Sequence, residues 1–496
     1  MIHSQTKPPQ QLAKAVGVLA IMASAVAQEY GSGINFVAPQ SIGVYPGIEN
    51  LVPLAMFVTG LLYLPKVFLF MRFGTVMPRA GGSYTWITRS LGMPIGFIVH
   101  FLWWASLAFS MGVLAFAFGS FLSSGLISAG WPQAAALSTD SGHIILGTAI
   151  IWTMFWLHHR GIRNYSVLVS VLLGAVVLSS LLVITIGLGS SPHAFLAAAH
   201  AKLHVTFTAP RHLKPPHAAA FLSVCTLFIF AYGGLSAAPF LGGEAKNRHH
   251  TIPLGILGGW AVAIVLFTLV TWAVFHAVPW WSTLTLLHHG DSAYTTTPGL
   301  VGLLSSPMLA VLLNLLMAAI VGKTIAPQML GTSRLVFAWA QDHVFPARFA
   351  RLSRHQTPTA ALFLSALIGN VSLIQSTLVG WSIGVTFRSI SILFVLFLLG
   401  LGVFNLKWGA AFRQKPWACA ISRGPVVLIA ATFGMIIAAV LISSVLIVPH
   451  TLWIFQPAVQ SAITLIIGAI LYRRAAHHAR LTGWDLKKAA EALPED

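Results

Sequence analysis

The chain has 496 residues, of which 57% are hydrophobic and only 8% charged, with a mean hydropathy of +0.83. Soluble domains carry about a quarter charged residues, so no room is left for a large soluble domain. The formal net charge of +18 is spread in short basic clusters between apolar runs, which is the positive-inside pattern of a polytopic membrane protein and not a nucleic-acid surface.

A spanning helix needs roughly 20 apolar residues. Hydropathy predicts spans over about 13–38, 50–72, 94–122, 143–159, 164–187, 219–241, 252–276, 305–333, 358–378, 382–405, 425–448 and 452–472. The first imitates a signal peptide: Lys7, Lys14, the run Val16–Met22, then the small residues Ala23, Ser24 and Ala25. The apolar stretch continues to Ala38, so it reads as a retained span.

With the N-terminus inside, 22 basic residues fall on the cytoplasmic side and only Lys202, Arg211 and Lys214 on the other. An error of one span in the middle would scramble that split. The expectation is a multi-pass protein of the inner (cytoplasmic) membrane, with the bilayer as its surroundings and both termini cytoplasmic. Residues 1–12 and 474–496 form the tails and 13–473 a single membrane domain. Three basic residues remain inside spans: Lys66, Lys323 and Arg388. Lys66, six residues before Arg72, is expected to snorkel to the cytoplasmic surface.

Two spans carry glycine interruptions. The first reads Glu29-Tyr30-Gly31-Ser32-Gly33-Ile34-Asn35, the sixth Phe230-Ala231-Tyr232-Gly233-Gly234-Leu235-Ser236. Glycine weakens a helix by about 1 kcal/mol relative to alanine. Paired glycines at mid-membrane depth let it unwind, and the freed backbone groups must then face a cavity or ligand. These are the first spans of two successive five-span units, the placement that marks the binding site of an inverted-repeat transporter. Tight helix packing through small residues is the alternative.

At this point the sequence resembles the amino acid–polyamine–organocation (APC) family of permeases. The motifs that carry the likeness are GSGI at 31–34, PRAGGSYTWITRSLG at 78–92, RGIRNYS at 160–166, GGEAKNRHHTIPLGI at 242–256, and GTSRLVFAWAQDHVFP at 331–346 followed by TP at 357–358. They fall in family order over 31–358, and the ordered set is specific to the family but not to a substrate.

The resemblance implies an all-α, leucine-transporter-type fold of 12 transmembrane helices. Two inverted five-helix repeats, about 13–187 and 219–405, would be followed by two additional helices at about 425–472. It implies an amino acid as substrate, with its carboxylate on the helix-one backbone at Ser32 and Gly33. The amino group would rest on carbonyls around Tyr30, Phe230 and Gly233. Gly31, Ile34, Tyr232, Gly234 and Ser236 complete the implied site. Some arginine exchangers of the family place an acid where Ser236 aligns, so a site built around that acid for cationic substrates is not expected here.

Sodium-coupled relatives of this fold hold an ion between helix one, just before the unwinding, and helix eight. Glu29 aligns with the first place and Lys323, beside Thr324, with the second. The expectation is that the Lys323 ammonium stands roughly where the ion would, with Glu29 as partner. A static brace between helices is the alternative. Charges at this depth cost roughly 2.5–3.5 kcal/mol on insertion scales and are usually functional.

Arg388 has three readings: a bidentate contact to a substrate carboxylate, a contact to headgroups at the outer surface, or a pair with Glu49. Phe230 is the expected gate, and Trp103 and Trp104 are expected to pack between helices. The loop 188–218 places His200 and His204 at helical spacing without an accompanying carboxylate or cysteine, so no metal is expected. Cys225 and Cys419 supply neither a disulfide framework nor a metal knuckle, and no cofactor motif is found. A channel would need a continuous polar pore. An enzyme would need a catalytic constellation, and none is present. The remaining rival is a transporter of the same fold for a polyamine, another organic cation or a metal ion.

Overall fold

A computed structural model describes residues 17–78, 81–160, 162–210, 216–236, 245, 247–290, 294–353, 357–448, 451–483 and 485–486, apart from the side chains of 24, 27–29 and 162–173. Both tail ends, Arg79, Arg211, His212, Lys214, residues 237–244 and Lys246 lie outside the described residues, as does the side chain of Glu29.

The described residues are mostly helical and contain no strand. In chain order the α-helices are α1 (Val18–Glu29), α2 (Ala38–Val44), α3 (Val52–Leu62), α4 (Leu64–Val76), α5 (Ser83–Leu91), α6 (Met93–Ser128), α7 (Asp140–His159), α8 (Ile162–Leu188), α9 (Pro192–Leu203) and α10 (Ala218–Phe228). They continue with α11 (Arg248–Ala277), α12 (Trp280–His288), α13 (Thr297–Leu303), α14 (Pro307–Gln341), α15 (Thr359–Gln375), α16 (Trp381–Trp408), α17 (Pro416–Ser422), α18 (Pro425–Ser444) and α19 (Pro457–Leu481).

Local chemistry fixes several starts. Thr139, Ser191, Thr296 and Ser306 each accept a backbone N–H of the helix that follows, and Asn247 does the same for α11. These caps satisfy amide groups that the first turn leaves without partners. Pro307 then takes the first position of α14, where its missing N–H costs nothing.

Among the described residues, each of the twelve apolar stretches contains helix. Six helices among the described residues are long and apolar enough to cross a membrane, or up to eight if each of two bent pairs counts as one span. Length and apolarity of the described helices thus support six to eight crossings, and the count of twelve rests on the sequence. Interruptions divide several expected spans: the first stops at Glu29 and the sixth at Phe228, so neither reaches spanning length unbroken.

α6 lies at the centre: 78% of its apolar stretch is buried, against 33% for α18. The outer helices show why the environment is lipid. In α18, Val426, Ile429, Phe433, Ile436 and Val440 form one exposed stripe. Their three- and four-residue spacing puts them on one helix face. In water such a contiguous apolar surface is a liability, whereas hydrocarbon solvates it. The same holds for Phe363, Leu367, Val371 and Ile374 on α15.

Lys66 corrects an expectation. It does not reach for the surface but is 1% exposed. Its ammonium donates to the Tyr63 hydroxyl at 2.8 Å and to Ser236 Oγ at 3.2 Å, and sits over the Tyr63 and Phe70 rings at 4.8 and 5.0 Å. A hydroxyl one turn back, a second hydroxyl beyond the helix-six break and two ring faces offer it an interior berth.

Gly112 marks the tightest crossing at the centre. A Cβ there would collide with the backbone of Ser372 and Leu373 on α15, so the helices meet backbone to backbone, as small residues allow. Gly112→Val is expected to lower stability in detergent by roughly 1–3 kcal/mol or more. Thermal unfolding of the purified protein checks this, and an unshifted midpoint would contradict the crossing.

Candidate substrate site

The first interruption begins where α1 ends. Tyr30 turns out of helical geometry at φ −72° and ψ 109°, and the chain re-enters as a π-helical turn over Gly33–Val37. Asn35 is the first residue beyond the break whose N–H returns to the chain, to Gly31 O at 3.3 Å. Its side-chain amide donates to the same carbonyl at 3.1 Å. Among the described residues the amides of Ser32, Gly33 and Ile34 make no backbone hydrogen bond, and the buried Ser32 hydroxyl has no partner. A cluster of free N–H groups at a helix start is an anion site, favoured further by the helix dipole.

The second interruption follows α10. The chain runs on through single turns, with Ala231 N–H bonding to Phe228 O at 2.9 Å and Gly233 N–H to Phe230 O at 3.1 Å. The two breaks touch. A Cβ built on Gly33 would lie 2.7 Å from Ala231 Cβ and 2.8 Å from Ala231 Cα. Only glycine permits that approach.

Between the breaks and α6, α14 and α16 lies a small cavity of about 30 Å³. Gly31, Ser32, Gly33, Phe230, Gly233 and Gly234 form its broken-helix wall. Leu107 and Leu114 of α6 supply an apolar wall, while Thr324, Gln328 and Arg388 supply polar side chains from α14 and α16.

The structure therefore brings together Gly31, Ser32, Gly33, Phe230, Gly233, Gly234, Thr324 and Arg388 of the residues expected at the site. It places four others off the cavity. Tyr30 is fully buried edge-on against Phe267. Tyr232 lies against Phe267 and Tyr63, and its hydroxyl donates to Met56 O. Ile34 is buried in the core, and Ser236 accepts from Lys66.

Arg388 is 4% exposed and faces α6, so neither outer headgroups nor Glu49 is its partner. Its Nη1 donates to Trp103 O at 3.3 Å, Ser106 Oγ at 3.2 Å and Ser391 Oγ at 3.4 Å. The guanidinium lies over the Trp103 ring at 4.6 Å. Trp103 thus packs between helices as expected, and holds the guanidinium plane as well. Trp104 packs against Phe101 and Trp339.

Lys323 precedes Thr324 on α14 and is 2% exposed. Its Nζ finds no hydrogen-bond partner among the described residues. Thr324 Oγ1 would lie 3.4 Å from a Cβ on Gly31, which puts α14 against the first break. Sequence reasoning missed Gln328, Leu107 and Leu114. Gln328 carried a usable signal, being polar, in an apolar span and one helical turn after Thr324; it is hydrogen-bonded to Ser110 Oγ at 2.8 Å. The leucines carried none. Among the described residues no group of histidine, cysteine or acidic side chains could hold a metal ion.

Two touching helix breaks around a shared cavity, inside an apolar helical bundle, define a multi-pass membrane transport protein. A family model for amino acid permeases matches residues 15–472. The chain belongs to the amino acid permease family, within the APC superfamily. It is similar to the branched-chain amino acid permease BcaP of Lactococcus lactis subsp. cremoris, 26% identical over 68% of this chain and 69% of that one. It is also similar to solute carrier family 7 member 12 of Mus musculus (23% identical; 74% and 75% covered) and to the serine/threonine exchanger SteT of Bacillus subtilis (23%; 70% and 72%). The family and these relatives are transporters and permeases, not enzymes.

The glycines separate two effects. A Cβ at Gly31 makes only van der Waals contact with Thr324, whereas one at Gly33 collides with Ala231. Gly31→Ala is expected to fold and to weaken ligand binding by intruding on the cavity. Gly33→Val is expected to force the breaks apart and abolish binding. Ligand-induced thermal shift of the two purified variants measures both, and wild-type affinity in Gly33→Val would contradict this placement.

Proposed function

We propose that the chain is a secondary active transporter of amino acids in the cytoplasmic membrane, and that the two breaks cradle the amino acid backbone. The substrate carboxylate rests on the free amides of Ser32 and Gly33, and the ammonium on carbonyls near Tyr30, Phe230 and Gly233. Phe230, on the cavity wall, serves as the gate. The observation that carries this reading is the single cavity lined by both Gly31–Gly33 and Gly233–Gly234. The likeness to a branched-chain amino acid permease and a serine/threonine exchanger supports the substrate class. A polyamine, another organic cation or a metal ion is disfavoured by Arg388 on the wall. Uptake by proteoliposomes from a panel of labelled amino acids and polyamines tests the reading. Polyamine uptake without amino acid uptake would overturn it.

The architecture that goes with this function is twelve spans in two inverted five-helix repeats plus two, with both termini cytoplasmic. The 22-to-3 split of basic residues supports it. Reporter fusions at Asp140, Asp291 and the C-terminus are expected to read outside, outside and inside; an external C-terminus would refute it.

Coupling is proposed to be sodium-independent, with the Lys323 ammonium standing where relatives of this fold hold an ion and Glu29 as its partner. A cation buried beside the first break, with no described hydrogen-bond partner, supports the assignment. Opposite charges at low dielectric attract strongly, which offsets part of their desolvation. If the pair exchanges a proton during transport, each unit of pH gradient contributes about 1.4 kcal/mol per proton moved. Uptake is then expected to depend on pH and to lose that dependence in Glu29→Gln, whereas a static brace gives the same profile in both. Sodium-stimulated uptake by the unmodified protein would refute the ion replacement.

A further inference from the structure

Arg388 leaves part of its hydrogen-bonding capacity unused. A guanidinium carries five N–H donors in a rigid fork. Here Nη1 alone is engaged, by three neutral oxygens. Nε and Nη2 make no hydrogen bond among the described residues, and the residue lines the cavity. Its guanidinium carbon lies 4.6 Å from the centroid of the Trp103 ring.

Among the described residues, which leave out the Glu29 side chain, the buried charge is one-sided. The buried charged side chains among the described residues are Lys66, Lys323 and Arg388, and no buried aspartate or glutamate accompanies them. A buried guanidinium without a counter-charge is costly, and an anion that completes it is bound strongly.

The cavity wall thus carries two sets of free donors, the amides of Ser32 and Gly33 and the Arg388 fork. A neutral amino acid offers one carboxylate to both sets, whereas a dicarboxylate offers one to each. Granting that the cavity seats an amino acid backbone on the breaks, we propose that Arg388 binds a second carboxylate, so that the substrate is an acidic amino acid of the aspartate or glutamate kind. The α-carboxylate takes the amides and the side-chain carboxylate takes the fork. Gln328, also on the wall, stands as the neighbouring polar contact. Lys66 does not line the cavity, and its ammonium is engaged by Tyr63 and Ser236.

The amide isosteres provide the test, because glutamine and asparagine match the acids in size and differ in the one charge. Binding to the purified protein is measured by thermal shift or calorimetry, and transport by competition in proteoliposomes. The unmodified protein is expected to bind glutamate or aspartate at least about tenfold more tightly than the matching amide. Arg388→Gln is expected to weaken binding of the acid roughly 10- to 100-fold, the range for loss of a charged hydrogen bond, and to leave the amide within a few-fold. Arg388→Lys, which keeps the charge and loses the fork, is expected to fall between.

Equal affinity of the unmodified protein for acids and amides overturns the proposal, and that comparison needs no variant to fold. Equal loss of acid and amide binding in folded Arg388→Gln also overturns it, by placing the α-carboxylate on the arginine. Tight binding of neutral amino acids alone sinks the acidic assignment and leaves the backbone cradle standing. Binding of no amino acid at all sinks the cradle as well.

Discussion

Hydrocarbon offers no hydrogen bonds, so a chain in a bilayer must satisfy its backbone internally or against something it encloses. Two helices here break that rule in the middle of the bundle, at Tyr30–Ser32 and after Phe228. The breaks are tolerable because they face each other and a shared cavity. The contact of Gly33 with the backbone of Ala231 brings them together, and the rest of the site is arranged around that contact. α14 meets the first break at Thr324, and α6 and α16 close the opposite wall.

Charge follows from the same constraint. A side chain held in the interior needs partners there, and the three buried cations meet the need differently. Lys66 is engaged by two hydroxyls and two ring faces. Arg388 is engaged on one nitrogen and open on the others. Lys323 has no hydrogen-bond partner among the described residues. A structural cation resembles the first. The other two retain unmet capacity, and Arg388 retains it on a cavity wall, where a ligand can meet it.

The breaks were legible in the sequence because a Gly-x-Gly or Gly-Gly inside an apolar run conflicts with helix propensity, and such local conflicts mark functional places. The apolar stretches were legible because twenty apolar residues have few other uses. Which side chains face the cavity was less legible. Tyr30 and Tyr232 flank the breaks in sequence, yet an extended or single-turn segment carries neighbouring side chains in different directions, and both rings turn into the packing around Phe267. Leu107 and Leu114 are indistinguishable in sequence from the other apolar residues of α6. The fate of Lys66 was misread because its distance from Arg72 was visible, whereas the Ser236 hydroxyl lies 170 positions away and is brought near only by the fold.

The segment beyond the first break is not a loose flap. Phe36, in its π-helical turn, packs edge-on against Phe116 and Phe121 of α6 and Trp381 of α16. Arg388, further along α16, is tied to Trp103 and Ser106 of α6. The broken segment and α16 therefore share α6 as a common support, and the cavity lies between them. A ligand spanning from the free amides to the guanidinium satisfies groups on both at once. Unpaired polar groups in a low-dielectric interior are costly. On the proposed binding mode, a ligand that engages both sets favours arrangements in which the first break and α16 stay close, and such a difference in interaction between conformations is what a ligand needs to shift their equilibrium.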